Sequence, residues 1–516
     1  MKPATKKSRW TRKTGSANSP KTRRQTRPRS YTPVSDALKE RFTFADTEVA
    51  QGLSRHGLAG LLHAAIGRKR RCDGEPLGNV LCALLIWPLL TLQSIHCFCA
   101  ELGQILQGKV SVLYDFLGRE DVNWRGLSTQ LARRVAQQND LGRRSQCAFV
   151  VDDTTQARAG RKVQGTSRHF DHTQGQSIQG HQVLQLGWAG AQGFVPVEAQ
   201  LVMSDVAPVD KPQAKPFRDQ RSAAARDMRR SWEQTKPELF RAMLHRAIQA
   251  GWRAVYLLAD AWFGCKENIA LSLELGLKGI FQMKRGNLSY GYQGRDYTAK
   301  ELYAKVQRRM KPAQPKARFK TASLTVKLNL QTQRNQPEKW VSIRLVFSAP
   351  VRAGSPDTWV VFVCTDLTLS DTQILQAYAL RWSIEVYFKE LKQNLGFLKE
   401  QSGRYEVAYA SVHLAALRYL LLFEAMLRSG RLSYGEIRDR QSGQLQVLTY
   451  ATLLWELFRA LIEGALAGLI RDLGLKVVRK VAAAIDQTVE SFLTQALQMK
   501  PDQVAVQLEA EKLGYL

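Results

Sequence analysis

Two short apolar runs that end in acids constrain this chain most. CAFVVDD spans Cys147 to Asp153, and AVYLLAD spans Ala254 to Asp260. Runs of this length read as buried strands. Between them, HQVLQLGWAG and FVPVEAQLVM flank a glycine-containing turn and read as a hairpin, and Pro237 to Gly251 reads as a helix. Ile269 to Leu277 continues as a helix and GIFQMK as another strand. This order predicts an α/β fold with a mixed sheet and carries acids from separate strands to one sheet edge.

The pattern changes over 286–371. Leu324, Val326, Leu328 and Leu330 alternate with polar residues, as do Val341, Ile343, Leu345 and Phe347. Such alternation predicts half-exposed antiparallel strands. TWVVFVCTD, Thr358 to Asp366, closes this β-rich block, and from Thr372 the chain reads as helix to its end. A Gly-rich polar stretch, Gly160 to Gly180, follows the first strand, and the polar, proline-bearing and charged 204–235 reads as a long loop.

One helix supplies a third acid. It reads YALRWSIEVYFKELK, Tyr378 to Lys392. On a continuous α-helix Tyr378, Arg381, Glu385 and Lys392 share an arc of about 60°. Leu380, Ile384, Phe388, Leu391 and Leu395 form an adjacent apolar face suited to packing on a sheet. Three carboxylates at one sheet edge suit divalent metals, and two such ions about 4 Å apart serve phosphodiester displacement.

Charge points to the same substrate class. The 516 residues include 75 Lys and Arg against 45 Asp and Glu, a net charge of +30. That excess favours a polyanionic partner, nucleic acid before anionic membrane. Residues 1–35 hold eleven basic residues and no acid, which predicts a disordered basic tail. Residues 36–145 read as helical, with a basic helix carrying Arg125, Arg133 and Arg134 as a candidate DNA contact. The apolar run Leu77 to Leu92 is too short to span a bilayer and contains Asn79 and Pro88, so it reads as core helix. Seven scattered cysteines without a signal peptide suggest a reducing, intracellular compartment. His96, Cys97 and Cys99 lack a second ligand pair at zinc-finger spacing.

Tyr378-x2-Arg381-x3-Glu385-x6-Lys392, with Trp382 and Ile384 completing R-W-x-I-E, resembles the Y-R-E-K signature of the IS-four family of bacterial insertion-sequence transposases. Asp153-Thr154-Thr155 resembles that family's first catalytic aspartate, and Leu258-Ala259-Asp260 its second. The β-rich block lies where the family carries its insertion. Ser111 to Trp124 is similar, more weakly, to the helical DNA-binding entry of such enzymes. The resemblance implies an RNase H-like core with a mixed five-stranded sheet, and a DDE site of Asp153, Asp260 and Glu385 holding two Mg²⁺ ions, for which Mn²⁺ substitutes. Asp152 is the alternative to Asp153, because neighbours on a strand face opposite ways.

The resemblance further implies that Tyr378, Arg381 and Lys392 contact phosphates of a transposon end, and that Trp359 stacks on a flipped base. The plain alternatives are ordinary ion pairs on that helix and a core position for Trp359, with Trp340 as a second aromatic candidate. Arg158, Arg161 and Lys162 are candidate phosphate contacts. His169, Asp171 and His172 form a loop cluster of undiagnostic spacing. The expected organisation is a basic tail (1–35), a helical DNA-binding region (36–145), a first part of the catalytic core (146–285), the β-rich insertion (286–371), the Glu-bearing helix (372–400) and a helical region (401–516) offering a dimer surface. The implied protein is a cytoplasmic, nucleoid-associated homodimer that cuts and joins double-stranded DNA without a membrane. A nuclease without strand transfer and a domesticated, non-catalytic DNA binder are the rival readings.

Overall fold

The computed structural model describes residues 48–446, apart from 67–76, 103–109, 142–146, 172–174, 204–216, 313–317, 353–357 and a few single positions, together with scattered residues between 461 and 488. The predicted tail and most of 447–516 lie outside the described residues.

Twelve strands form one mixed sheet. Its first half is built from β1 (Ala148–Ala157), β2 (Ser167–Asp171), β3 (Gln176–Gly190), β4 (Gly193–Val202), β5 (Tyr256–Ala259) and β6 (Lys278–Met283). β4, β3 and β1 are antiparallel neighbours, while β1, β5 and β6 run parallel. The predicted hairpin is β3–β4, closed where Gly190 pairs with Gly193. Gly193 has φ +133, a backbone that L side chains rarely adopt.

The β-rich block is no separate unit. β12 (Val360–Cys364) pairs antiparallel with β6, and β11 (Trp340–Pro350), β10 (Phe319–Asn329), β7 (Ser289–Tyr292) and β8 (Arg295–Thr298) extend the same sheet, with the two-residue β9 (Lys311–Pro312) pairing on β10. Alternation along β10 and β11 shows the strands but not their neighbours. Their union with β6 is a long-range pairing.

Helices cover the sheet on both faces. α1 (Glu48–Arg55), α2 (Leu58–Ala65), α3 (Leu77–Ile86), α4 (Ile95–Leu102), α5 (Val110–Leu117) and α6 (Trp124–Gln138) precede β1. α7 (Ala223–Glu233) and α8 (Lys236–Gln249) follow β4. α8 starts at a capping box between Thr235 and Glu238, with proline in its first turn. α7 was expected to be loop. It folds because its polar Asp227 and Ser231 are buried together with Ala224, Ala225 and Met228. Asp227 pairs there with the buried Arg125 of α6. A hydrophobic pattern does not reveal a helix whose inner face is satisfied by a distant charge.

α9 (Lys266–Glu274) and α10 (Ala299–Val306) flank β6 and β8 in the chain, and α11 (Asp371–Ala379), α12 (Trp382–Gln393) and α13 (Tyr405–Ser429) end the described core. α13 is long and apolar enough to cross a membrane, yet 89% of its most apolar window is buried. It packs on α1, α3, α5, α6 and α7. This helix is therefore core, and most of the rest of 401–516, the region offered as a dimer surface, lies outside the described residues. Its fully buried Arg418 donates to the carbonyls of Leu84, Leu85 and Leu395. That guanidinium ties the C-terminal end of α3 to the turn after α12. The N-terminal helices and the Glu385 helix thus share one core.

Candidate active site

β1 and β5 lie side by side, with Val151 opposite Ala259. Asp152 and Asp260 are the next residues along each chain, so the register brings their carboxylates together. Burial, then the negative charge of Asp260, pushes the Asp152 carboxyl up to about 7, against the pull of Arg381. Asp260 also shapes its own loop: its Oδ1 accepts from the backbone of Trp262 at 3.0 Å and of Phe263 at 3.4 Å.

Glu385 reaches this pair through a cation. Arg381 donates from Nη1 to Asp152 Oδ2 at 2.9 Å and from Nη2 to Glu385 Oε1. The helix expected over Tyr378–Lys392 is not continuous. α11 ends at Ala379, and Arg381 and Ile384 bond back three residues, to Tyr378 and Arg381. This tightened turn places Arg381 just ahead of α12. The arc of about 60° for an uninterrupted helix therefore does not describe Tyr378. Its hydroxyl points inward, donating to the Ala259 carbonyl at 3.4 Å and to Gln282 Oε1 at 3.3 Å. Lys392 Nζ donates to the Thr155 carbonyl at 2.8 Å, tying α12 to β1.

Asp153 faces the other way. In register, Asp152 stands beside Gln185 and Asp153 beside Leu184. Gln185 accepts from Tyr387 of α12. Asp153 instead accepts from Lys236 of α8 at 2.6 Å and from Gln182 at 3.0 Å. The structure thus turns Asp152, not Asp153, toward the helix of Glu385. Sequence reasoning missed Lys236 and Trp262. The Lys236 ammonium lies 3.8 Å from the centre of the Trp262 ring, which is 41% exposed two residues after Asp260. The only sequence signal was the position of Trp262 beside an acid-tipped strand.

The remaining candidates scatter. Trp359 is 4% exposed, stacks on Tyr303 at 4.2 Å and carries the Arg285 guanidinium 5.0 Å from its ring centre. It is a core residue of the extended sheet, and no base can reach it as it stands. Trp340 is exposed and donates to Glu338. Arg158 turns inward to His181 Nδ1 and the Glu400 carbonyl. Lys162 is exposed, and Arg161 and His172 lie outside the described residues. His169 is buried against Ser167; burial and then the nearby Lys236 charge push it down to about 4. Arg125 is buried in ion pairs, and Arg134 donates to the His56 carbonyl, so of the three basic residues of α6 only Arg133 is exposed.

Among the described residues no three His, Cys, Asp or Glu side chains converge on one point. At the acids, the guanidinium of Arg381 stands between Asp152 and Glu385. The donor chemistry nonetheless fits a hard divalent cation. All three groups are carboxylates, and the mutual repulsion of Asp152 and Asp260 is the kind that bound positive charge relieves.

Residues 100–350, just under half of the chain, match the family model described as DDE superfamily endonuclease. The match supports a DDE nuclease of the transposase type, a class that acts on DNA and typically uses divalent metal ions. The matched span contains Asp152, Asp153 and Asp260 and stops before Arg381 and Glu385. A comparison with curated proteins finds no match.

Proposed function

We propose that this chain is a DNA transposase with an RNase H-like core, β4-β3-β1-β5-β6, and a metal-binding triad of Asp152, Asp260 and Glu385. One observation carries the reading: a single guanidinium joins Asp152 to Glu385 while Asp152 stands beside Asp260. Asp153 is assigned instead to positioning Lys236.

Two divalent ions, Mg²⁺ by expectation with Mn²⁺ as a substitute, supply an activated nucleophile and charge at the leaving oxygen when bound. Asp152 and Asp260 would hold them from the sheet, and Glu385 from α12. Arg381 is already poised on carboxylates and exchanges them for a phosphate of the bound strand. Tyr378 and Lys392 hold the α11–α12 turn and α12 against the sheet. In the reaction, water breaks the phosphodiester at the element's end and frees a 3′-hydroxyl. That hydroxyl attacks the opposite strand, giving a hairpin, or attacks target DNA, displacing a 3′ oxygen. The family likeness of the Y-R-E-K residues supports a homodimer that joins two ends, located with the nucleoid in the cytoplasm.

The test is incubation of the full chain and Mg²⁺ with linear DNA carrying the gene's flanking terminal repeats and a target plasmid. End release and joining, lost in Glu385→Gln and Asp152→Asn, support the proposal. Cleavage without joining supports a nuclease, the reading favoured by the family description. Binding without cleavage identifies a non-catalytic binder.

A further inference from the structure

A second cationic site lies on the opposite side of the sheet from Asp152. Asp153, Leu184 and Gln200 are aligned across β1, β3 and β4, as are Val151, Leu186 and Glu198. Glu198 therefore projects on the Asp153 face, two strands and roughly 10 Å across from β1. There a cavity of about 540 Å³ opens between α6, α7, α8 and β4.

Five arginines and two acids line it. The acids are spent. Asp227 pairs with Arg125 and accepts from Tyr405, and Glu198 pairs with Arg125 and Arg246. Arg133, Arg226 and Arg230 remain, and their guanidinium groups make no ion pair or hydrogen bond among the described residues. Arg226 and Arg133 are exposed, whereas Arg230 is half-buried. Burial, and next the charge of Arg125, push the Arg230 guanidinium below its usual value, with Asp227 and Glu198 pulling the other way; the lining itself holds five arginines against two acids.

The unsatisfied polar atoms have the same sign. Arg125 Nε and Trp252 Nε1, both on residues of this wall, are buried donors without an acceptor. A wall whose buried unpaired atoms are donors favours an anion with several oxygens. Exposed cations from two helices at its mouth suit a chain of phosphates more than one small anion. No exposed aromatic lines the cavity to hold a base.

We infer that this arginine cavity seats backbone phosphates of a DNA segment on the sheet face opposite the carboxylate site. The inference rests on the reading of the chain as a DNA-acting enzyme but not on its chemistry. Phosphate contacts of this kind set affinity and position without reading sequence.

The test is binding of the full chain to a short duplex of arbitrary sequence, followed by fluorescence anisotropy across a salt series without metal. Arg226→Gln with Arg230→Gln is expected to weaken binding about tenfold and to lower the slope of log affinity against log salt by about 2. The paired lysine substitutions should restore most of the slope. If the glutamine pair disturbs folding, as judged by circular dichroism, the exposed pair Arg133→Gln with Arg226→Gln decides, with the same slope change expected. Unchanged affinity and slope overturn the inference. So does a glutamine pair that abolishes thermal stabilisation by inorganic pyrophosphate but leaves the DNA slope intact, since the cavity then takes a small anion. Loss of end cleavage in Glu385→Gln is read separately: a slope change in the arginine variants without it, or the reverse, separates failure of the catalytic proposal from failure of this site.

Discussion

Asp152 and Asp153 are adjacent in the chain, yet their carboxylates stand on opposite faces of the sheet, one on Arg381 and the other on Lys236. Their substitutions should therefore separate. Asp152→Asn is expected to lower DNA cleavage by at least about a thousandfold, as loss of an essential charge-positioning group does. Asp153→Asn should keep cleavage within about tenfold and cost about 1–3 kcal/mol, because it leaves Lys236 partly buried and weakly paired. Rates of end cleavage beside urea unfolding curves check both; equal loss in the two variants would remove the assignment of Asp152.

The raised Asp152 pKa has a stability consequence. Its folded value of about 7 lies above the ordinary aspartate value of 3.8. Between these values the folded carboxyl keeps a proton that the unfolded one has lost. Stability should fall as pH rises through that window and level off above it, by at most about 4 kcal/mol for this group. Asp152→Asn should lack this component. Unfolding free energies of both proteins at the two ends of the window measure it, and parallel curves would refute it.

Metal binding should run the other way with pH. A protonated Asp152 is a poor ligand, so thermal stabilisation of the DNA-free protein by Mg²⁺ should grow as pH rises through about 7. Glu385→Gln and Asp260→Asn should diminish it. Differential scanning fluorimetry checks the effect without any turnover, and a pH-independent stabilisation would count against these ligands.

The two tryptophans should behave in opposite ways. Trp359→Ala removes a ring packed on Tyr303 and Phe347 and should cost about 3–5 kcal/mol. Trp262→Ala should change stability little and weaken binding to DNA ends by about 1–3 kcal/mol if a base stacks on the exposed ring. Thermal melts and anisotropy separate the two; unaltered affinity in Trp262→Ala would leave that ring without a role in binding.

Much of this arrangement was legible in the chain. The apolar runs ending at Asp153 and Asp260, the hairpin, and the alternation in β10 and β11 all come from local pattern, because burial on one or two faces prints its period on neighbouring residues. The Arg381–Glu385 pair follows from spacing of four on a helix. Which of the two adjacent acids stands on the side of Glu385 does not. A strand states that Asp152 and Asp153 diverge, but which of the two meets Glu385 depends on which face α12 covers, and that is set by packing between segments more than two hundred residues apart. The same holds for α7, whose polar inner face folds only around Arg125, and for Trp359, whose burial needs Tyr303 and Phe347. Sequence determined which residues could carry charge into the sheet; the long-range packing of helices on its two faces decided which charges meet.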